Sequence, residues 1–395
     1  MKLLKIFSII GICLGISLLS FSAYTILSEK KPAEGSTEIP PNTLDENSIS
    51  NKQPKEDQNT FSKKLDNTEN RTDNYSKQNE QKVVETKLSQ SAWIPYWAFS
   101  LGFESLKENK EIIDTVNPVL YSINSNKQLQ RNNISEQQLK ELLQYSKQNN
   151  IRVIPTVSSN NFANMDKLLS SIDNYKLNIK NIVEEVNKYN FDGIDLDYES
   201  INSMYQKQYI DYLTQLKAAL GNRIFSITLL PQWEGAQYTE KAETRSIQKY
   251  SVIGSIADEI RIMTYDYTSP TSPNAGPIAP IDWIEQVIAY AKQSGIPTKK
   301  IYLGIHLYSY EWNNGKVSAL TNTTVKNIVE KIGSSAKYDT KIAEGYAQYT
   351  CSGSSTCTLY YQTNHGVKER NNLAKKYALK GVAYWRIGGE LDLLK

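Results

Sequence analysis

Between residues 92 and 387 the chain alternates eight apolar, strand-like runs with stretches of helical spacing. The runs are AWIPYW (92–97), PVLYSI (118–123), IRVIPTVS (151–158), FDGIDLDYE (191–199), RIFSITLL (223–230), EIRIMTYDY (259–267), KIYLGIHLY (300–308) and GVAYWRI (381–387). Each is rich in Ile, Val, Leu or Tyr, as strands covered on both faces must be. The segments between them carry apolar residues three and four apart. SEQQLKELLQYSKQNN opens with a capping box, Ser135 to Gln138, and aligns Leu139, Leu142 and Leu143. MYQKQYIDYLTQLKAALGN repeats Tyr205, Tyr209, Tyr212, Leu213, Leu216 and Leu220, then stops at Gly221-Asn222. Strand–helix alternation repeated eight times predicts an α/β fold, a (β/α)8 TIM barrel. A doubly wound open sheet competes, but no Gly-rich phosphate loop follows the first strand.

The gap between the seventh and eighth runs, about 309–362, exceeds an ordinary βα loop. Its Tyr-rich runs GYAQYT and TLYYQT read as short strands flanking Cys351 and Cys357. The gap predicts a small α+β insertion between strand seven and the last helix, raising one wall of a groove.

The fourth run holds an unusual density of acid. Asp195, Asp197 and Glu199 are two apart, so on a strand they share one face. Ile194, Leu196 and Tyr198 take the other face, and Asp192, out of step, reads as a brace. Three carboxylates side by side repel one another and resist desolvation, so at least one should hold a proton near neutral pH. In a TIM barrel, catalytic groups stand at the C-terminal ends of strands. Glu199 ends this strand at the mouth, with Asp197 and Asp195 progressively deeper.

The remaining composition narrows the function. Net charge is +3, with Lys and Arg scattered, which argues against nucleic acid as a partner. The two histidines, His306 and His365, are far apart and lack ligand partners at metal spacing. A zinc site and a Ser-His-Asp triad are therefore disfavoured, no cofactor is called for, and both histidines read as structural or surface residues. At the N-terminus, Lys2 and Lys5 precede an uncharged run from Ile6 to Ser28. Residues 1–28 read as a signal peptide or a membrane anchor, leaving the rest outside the cytoplasmic membrane. Cys13 lies in this run, but IGI before it makes a poor lipoprotein box. Residues 29–88 are rich in Asn, Gln, Ser, Lys and Glu, cannot bury enough apolar surface to fold, and read as a disordered polar linker. The barrel is assigned to 89–395. In an exported chain, Cys351 and Cys357 predict a local disulfide.

Three motifs carry a family resemblance. DGIDLDYE resembles the DxxDxDxE signature of glycoside hydrolase family 18, the chitinase family. MTYDY (263–267) is similar to that family's Met-x-Tyr-Asp strand, and GVAYWRIGGE (381–390) to its tryptophan-bearing last strand. The stretch from SPNAGPIAPIDWIEQ onward resembles a bacterial branch that includes spore-cortex and cell-wall N-acetylglucosaminidases. The resemblance covers about 91–394 and implies retaining hydrolysis in which the substrate's own 2-acetamido oxygen is the nucleophile. On that pattern Glu199 is the general acid and then the base. Asp197 holds the acetamido N–H and balances the oxazolinium-like intermediate, and Asp195 shares a proton with it. Tyr265 donates its hydroxyl to the acetamido carbonyl oxygen. Asp266 contacts the sugar or a nearby water, Met263 lines the pocket below the acetamido group, and Trp385 floors the cleavage-site sugar. Trp97 and Trp312 either line sugar subsites or pack, and Trp283 packs.

The implied partner is an N-acetylglucosamine-containing polysaccharide, chitin or peptidoglycan, met by a monomer that the N-terminal run tethers to the membrane if it is uncleaved. The tether and the lack of an obvious chitin-binding appendage lean towards the cell envelope. A lectin-like relative is the alternative, but such relatives lose the acid position that Glu199 fills here. A metal-dependent barrel enzyme using the three carboxylates as ligands lacks other nearby ligands.

Overall fold

The computed structural model describes residues 87–395, apart from 127, 239, 240 and 352–354. The expected leader, 1–28, and all but the end of the expected polar linker, 29–88, lie outside the described residues. Among the described residues no helix is long and apolar enough to cross a membrane.

The first barrel strand, β1 (Ser89–Ile94), leads into α1 (Phe99–Glu108). The second is broken into β2 (Thr115–Pro118) and β3 (Tyr121–Ile123); β4 (Leu129–Arg131) turns back on β3 before α2 (Glu136–Gln148). The third is likewise broken, into β5 (Arg152–Val153) and β6 (Thr156–Ser159), followed by α3 (Phe162–Leu169) and α4 (Ile172–Tyr189). Next come β7 (Gly193–Tyr198), α5 (Gln206–Leu220) and β8 (Ile224–Leu229). Then follow α6 (Ala242–Ile247), α7 (Tyr250–Ile256), β9 (Glu259–Ile262), α8 (Ile281–Gln293) and β10 (Ile301–His306). The insertion supplies β11 (Tyr308–Asn313), β12 (Lys316–Thr321), α9 (Asn322–Ile332), β13 (Lys337–Asp339), β14 (Glu344–Thr350) and β15 (Thr356–Tyr361). The chain returns through α10 (Asn364–Lys376) to β16 (Gly381–Trp385).

The eight barrel strands are parallel, and each has two neighbours. β1 lies between β16 and β2, and β6 through β10 pair in sequence before β10 meets β16. The ring closes across the broken strands, where β2 pairs with β5 and β3 with β6. One break falls at Ile154-Pro155, where proline has no N–H to give a ladder. β1 and β9 end furthest short of their apolar runs. β1 stops at Ile94, so Trp97 sits in a short helical turn, 96–98. β9 stops at Ile262 rather than Tyr267, because the Thr264 N–H turns back to Ile262 O at 2.9 Å and its hydroxyl donates to Gly304 O at 2.6 Å.

Period two divides β7 as its sequence requires. Ile194, Leu196 and Tyr198 join the apolar layer beneath the helices. The Tyr198 hydroxyl meets that of Tyr212 on α5 at 3.1 Å. Burying each such side chain contributes roughly 1.5–3 kcal/mol. On α5, Tyr209, Tyr212, Leu213, Leu216 and Leu220 are buried, and Gly221 ends the helix at φ 58°. The α2 capping box is present in both directions, at 3.0 and 3.1 Å.

The barrel interior is polar at depth. Glu259 accepts from Arg152 at 2.9 Å and Arg261 at 3.1 Å, with the Lys380 ammonium at 3.4 Å. Burial alone would raise the Glu259 carboxyl, but Arg261, Arg152 and Lys380 outweigh it and hold it at about 2. The insertion forms a five-stranded antiparallel sheet, β12-β11-β15-β14-β13, beside α9. Cys351 and Cys357 are bonded across its β14–β15 turn, Cα atoms 5.8 Å apart.

Candidate active site

The three acids of β7 stand on one face, as expected, but in different surroundings. Asp195 is fully buried and held by hydroxyls on both neighbouring strands: Thr156 at 2.9 Å, Ser226 at 2.5 Å and Thr228 at 3.1 Å. Ser226 in turn accepts from Arg261, which ties this carboxylate to the charged interior. Among the described residues no hydrogen bond joins Asp195 to Asp197. The proton sharing expected of the pair is therefore not a direct contact here; the hydroxyls take its place. Asp197 is half-buried, and among the described residues its Oδ1 finds no hydrogen-bond partner. Burial, then the charges of Glu199 and Asp195, push its carboxyl well above the usual range, against the pull of Lys241. The site thus disfavours the charged form of Asp197.

Glu199 follows β7, its N–H still bonded to Ser159 O at 2.8 Å. Its Oε2 is paired with the Lys241 ammonium, the two side chains 25% and 41% exposed. Burial works against the Lys241 charge, but Glu199, Asp197 and Asp266 outweigh it and keep the ammonium charged. Lys241 stands immediately before α6 with φ 60°, in the left-handed region.

A wall of tyrosines faces the acids. Tyr265 is buried beyond the end of β9. Burial first, then the charges of Asp197, Asp266 and Glu199, raise its hydroxyl far above the usual range, so it stays a donor. Among the described residues nothing takes that hydrogen bond. Gly304 lets β9 and the Tyr265 ring approach β10: a Cβ there would clash with Ile262 O and stand 3.1 Å from that ring. Asp266, at φ 60°, accepts from Tyr310 at 2.9 Å and from Tyr308. Both tyrosines belong to β11, so the insertion braces this acid directly.

Tryptophans cover the side where β1 meets β16. Trp385, half-buried, meets Trp93 edge-on at 5.8 Å between ring centroids and Trp97 at 6.4 Å. Trp97 is 55% exposed, an open apolar face beside Trp385. Met263 lies in the core nearby. Trp312 is buried and donates to Ser272 O at 3.2 Å, which resolves it as a packing residue. Trp283 is also buried, against Trp233 and Tyr267. Asp192 braces the third strand by accepting from the Val153 N–H at 2.7 Å. His306 is buried and held neutral by desolvation, then by Arg370, while His365 is exposed. Among the described residues no three His, Cys, Asp or Glu side chains are placed to hold a metal ion.

Sequence reasoning missed Lys241, Tyr308 and Tyr310. The two tyrosines had a faint signal, the alternation in HLYSYEW just past the seventh strand. Lys241 had none beyond its place in a loop after strand five.

Fold and site together define a (β/α)8 barrel whose fourth strand carries a ladder of acids into the mouth. The chain belongs to the glycosyl hydrolases family 18, whose profile matches residues 72–390. It is 28% identical to a cortical fragment-lytic enzyme of Bacillus anthracis over 217 residues, 53% of this chain and 49% of that one. The chain spans about half the length of the first curated relatives it matches. Its fold resembles that of the Bacillus cereus spore cortex-lytic enzyme SleL, with TM-score 0.69, 20% identity and coverage of 78% of this chain and 73% of that one. It also resembles a chitinase from Chromobacterium violaceum, with TM-score 0.70, 20% identity and coverage of 78% and 96%.

Proposed function

We propose that this chain is an exported glycoside hydrolase that cleaves β-1,4-linked N-acetylglucosamine polymers with retention, the substrate's acetamido group acting as nucleophile. The observation that carries this reading is that Asp197 and Glu199, at the end of β7, lie close enough to Tyr265 to act on its hydroxyl, while among the described residues Asp197 Oδ1 has no hydrogen-bond partner. The acetamido oxygen closes on C1 while Glu199 gives its proton to the leaving oxygen. Tyr265 donates to the acetamido oxygen and Asp197 takes its N–H. Asp197 balances the positive charge that grows on the ring that forms. Water then attacks C1 and Glu199 takes the proton back, restoring the acid. Trp385 supplies the apolar floor, with Trp97 extending it outward. The names of the relatives, a cortical fragment-lytic enzyme and a chitinase, agree with such polymers as substrates. Export rests on the uncharged run at 6–28 and on the Cys351–Cys357 bond, which suits an oxidising compartment.

The deciding experiment compares matched N-acetyl and 2-hydroxy substrates, with mass spectrometry for a trapped sugar–enzyme ester. The N-acetyl substrate should react and its partner hardly at all. Equal rates, or an adduct on Glu199 or Asp197, would make a protein carboxylate the nucleophile. Glu199→Gln should keep the fold and sugar binding while lowering turnover about 10²–10⁴-fold; near-normal turnover would remove Glu199 from its role.

A further inference from the structure

The pairing of Lys241 with Glu199 carries an inference about which polymer enters, and it rests on the hydrolase reading above. We propose that Lys241 reads a carboxylate on the sugar that leaves, so that the preferred substrate alternates N-acetylglucosamine with a lactyl-ether amino sugar, as in peptide-stripped peptidoglycan, rather than being chitin.

The Lys241 ammonium lies in hydrogen-bond contact with Glu199 Oε2. The acid must itself contact the leaving oxygen, O4 of the departing sugar. The ammonium therefore sits about two hydrogen-bond lengths, roughly 5–6 Å, from O4. The ether oxygen O3 is on the adjacent ring carbon. A lactyl carboxylate on O3 reaches back into that space, where chitin offers only a hydroxyl.

Charge gives the second reason. Glu199 stands at this mouth with the carboxyls of Asp195, Asp197 and Asp266 behind and beside it, so an anionic polymer is disfavoured unless a cation meets it. A neutral polymer needs no such cation. Lys241 holds its place with a backbone at φ 60°, uncommon for a residue with a Cβ, and its carbonyl starts α6 by accepting from the Arg245 N–H at 2.9 Å.

The two roles of the ammonium are linked. A substrate carboxylate that draws the ammonium away leaves Glu199 Oε2 free to meet the leaving oxygen. In intact peptidoglycan a stem peptide amidates the lactyl carboxyl. The ionised group thus marks strands from which an amide hydrolysis has already removed the peptide.

The test uses three tetrasaccharides: alternating N-acetylglucosamine and N-acetylmuramic acid with free lactyl carboxylates, the same glycan as its lactyl methylamides, and chitotetraose. The kcat/KM of each is measured for the native protein, Lys241→Met and Lys241→Arg. The native protein should favour the free acid over the amide by roughly tenfold. The ratio should fall to near one in Lys241→Met and persist in Lys241→Arg. Every substrate meets the same Glu199, so the ratio cancels any general effect of Lys241 on the acid. A native ratio near one, or one unchanged in Lys241→Met, overturns the inference and leaves the hydrolase reading intact as long as chitotetraose is cleaved. If none of the three is cleaved, the hydrolase reading falls instead. Calorimetric binding of the acid and amide glycans to Glu199→Gln, with and without Lys241→Met, then supports or overturns the Lys241 contact by itself.

Discussion

Asp197 is a carboxyl placed where its charge is disfavoured. Burial and the neighbouring acids raise its proton affinity in the folded chain above the 3.8 of an ordinary aspartate. A group raised in this way contributes stability below its unfolded value and loses it as pH rises towards the folded value. At pH 7 the native protein has therefore given up stability at this site. Asp197→Asn should raise the melting temperature at pH 7, show no such gain near pH 3, and lower turnover strongly. Calorimetry at both pH values checks this, and an unchanged melting temperature at pH 7 would contradict the assigned cause. The acid ladder was legible because period two alone puts 195, 197 and 199 on one face. Lys241 was not, since its approach to Glu199 depends on a left-handed backbone angle that no local pattern announces. The Asp195 environment was also hidden: its three hydroxyl donors come from β6 and β8, far away in the chain.

The insertion is fastened to the barrel by buried charge. Glu344 on β14 accepts from the Ile278 and Ala279 N–H groups at 2.9 and 2.6 Å and from Arg370 on α10 at 3.2 Å. Burial pushes the Glu344 carboxyl up, against Arg370 and the two amides, so what the cluster mainly fixes is geometry. It holds the loop after β9 against the element that supplies Tyr308 and Tyr310. Glu344→Ala should cost about 3–5 kcal/mol, because it strands a buried guanidinium and two amide donors. Adding Arg370→Met should recover part of that loss. Urea unfolding measures both, and a single-variant effect below about 0.5 kcal/mol would show that the cluster is not the fastening. At this scale sequence reading did well where signals are local, as in the Ser135–Gln138 box and the Gly221 stop. It failed at the breaks in strands two and three. IRVIPTVS reads as one strand although Pro155 interrupts it, and the handover from one neighbour to the next is set by ring closure.

The eight-fold alternation identified the barrel because the rhythm needs only local periodicity, but it concealed what fills the barrel. EIRI reads as an apolar strand with two charges, yet period two sends Glu259 and Arg261 to the same face, and that face is the interior. There they meet Arg152 from the third strand and Lys380 from just before the eighth. Three distant segments thus share one charge cluster, and its state bears on the whole ring. The Glu259 carboxyl is held at about 2, against 4.5 for an ordinary glutamate. A depressed value means that the folded chain binds fewer protons than the unfolded one. The stability from Glu259 is present in full above about 4.5 and is lost as pH falls from there to about 2. The shift corresponds to something on the order of 3 kcal/mol. Glu259→Gln removes the titrating charge and leaves Arg261 buried without its partner, so the variant should be several kcal/mol less stable at pH 7. The gap between native and variant proteins should then narrow as pH falls from about 4.5 towards 2, since the native protein loses what the variant never had. Urea midpoints measured across pH 7 to 2.5 test this at moderate salt, which weakens exposed ion pairs but not this buried one. Parallel curves for the two proteins would mean that Glu259 does not set the acid limit of the barrel.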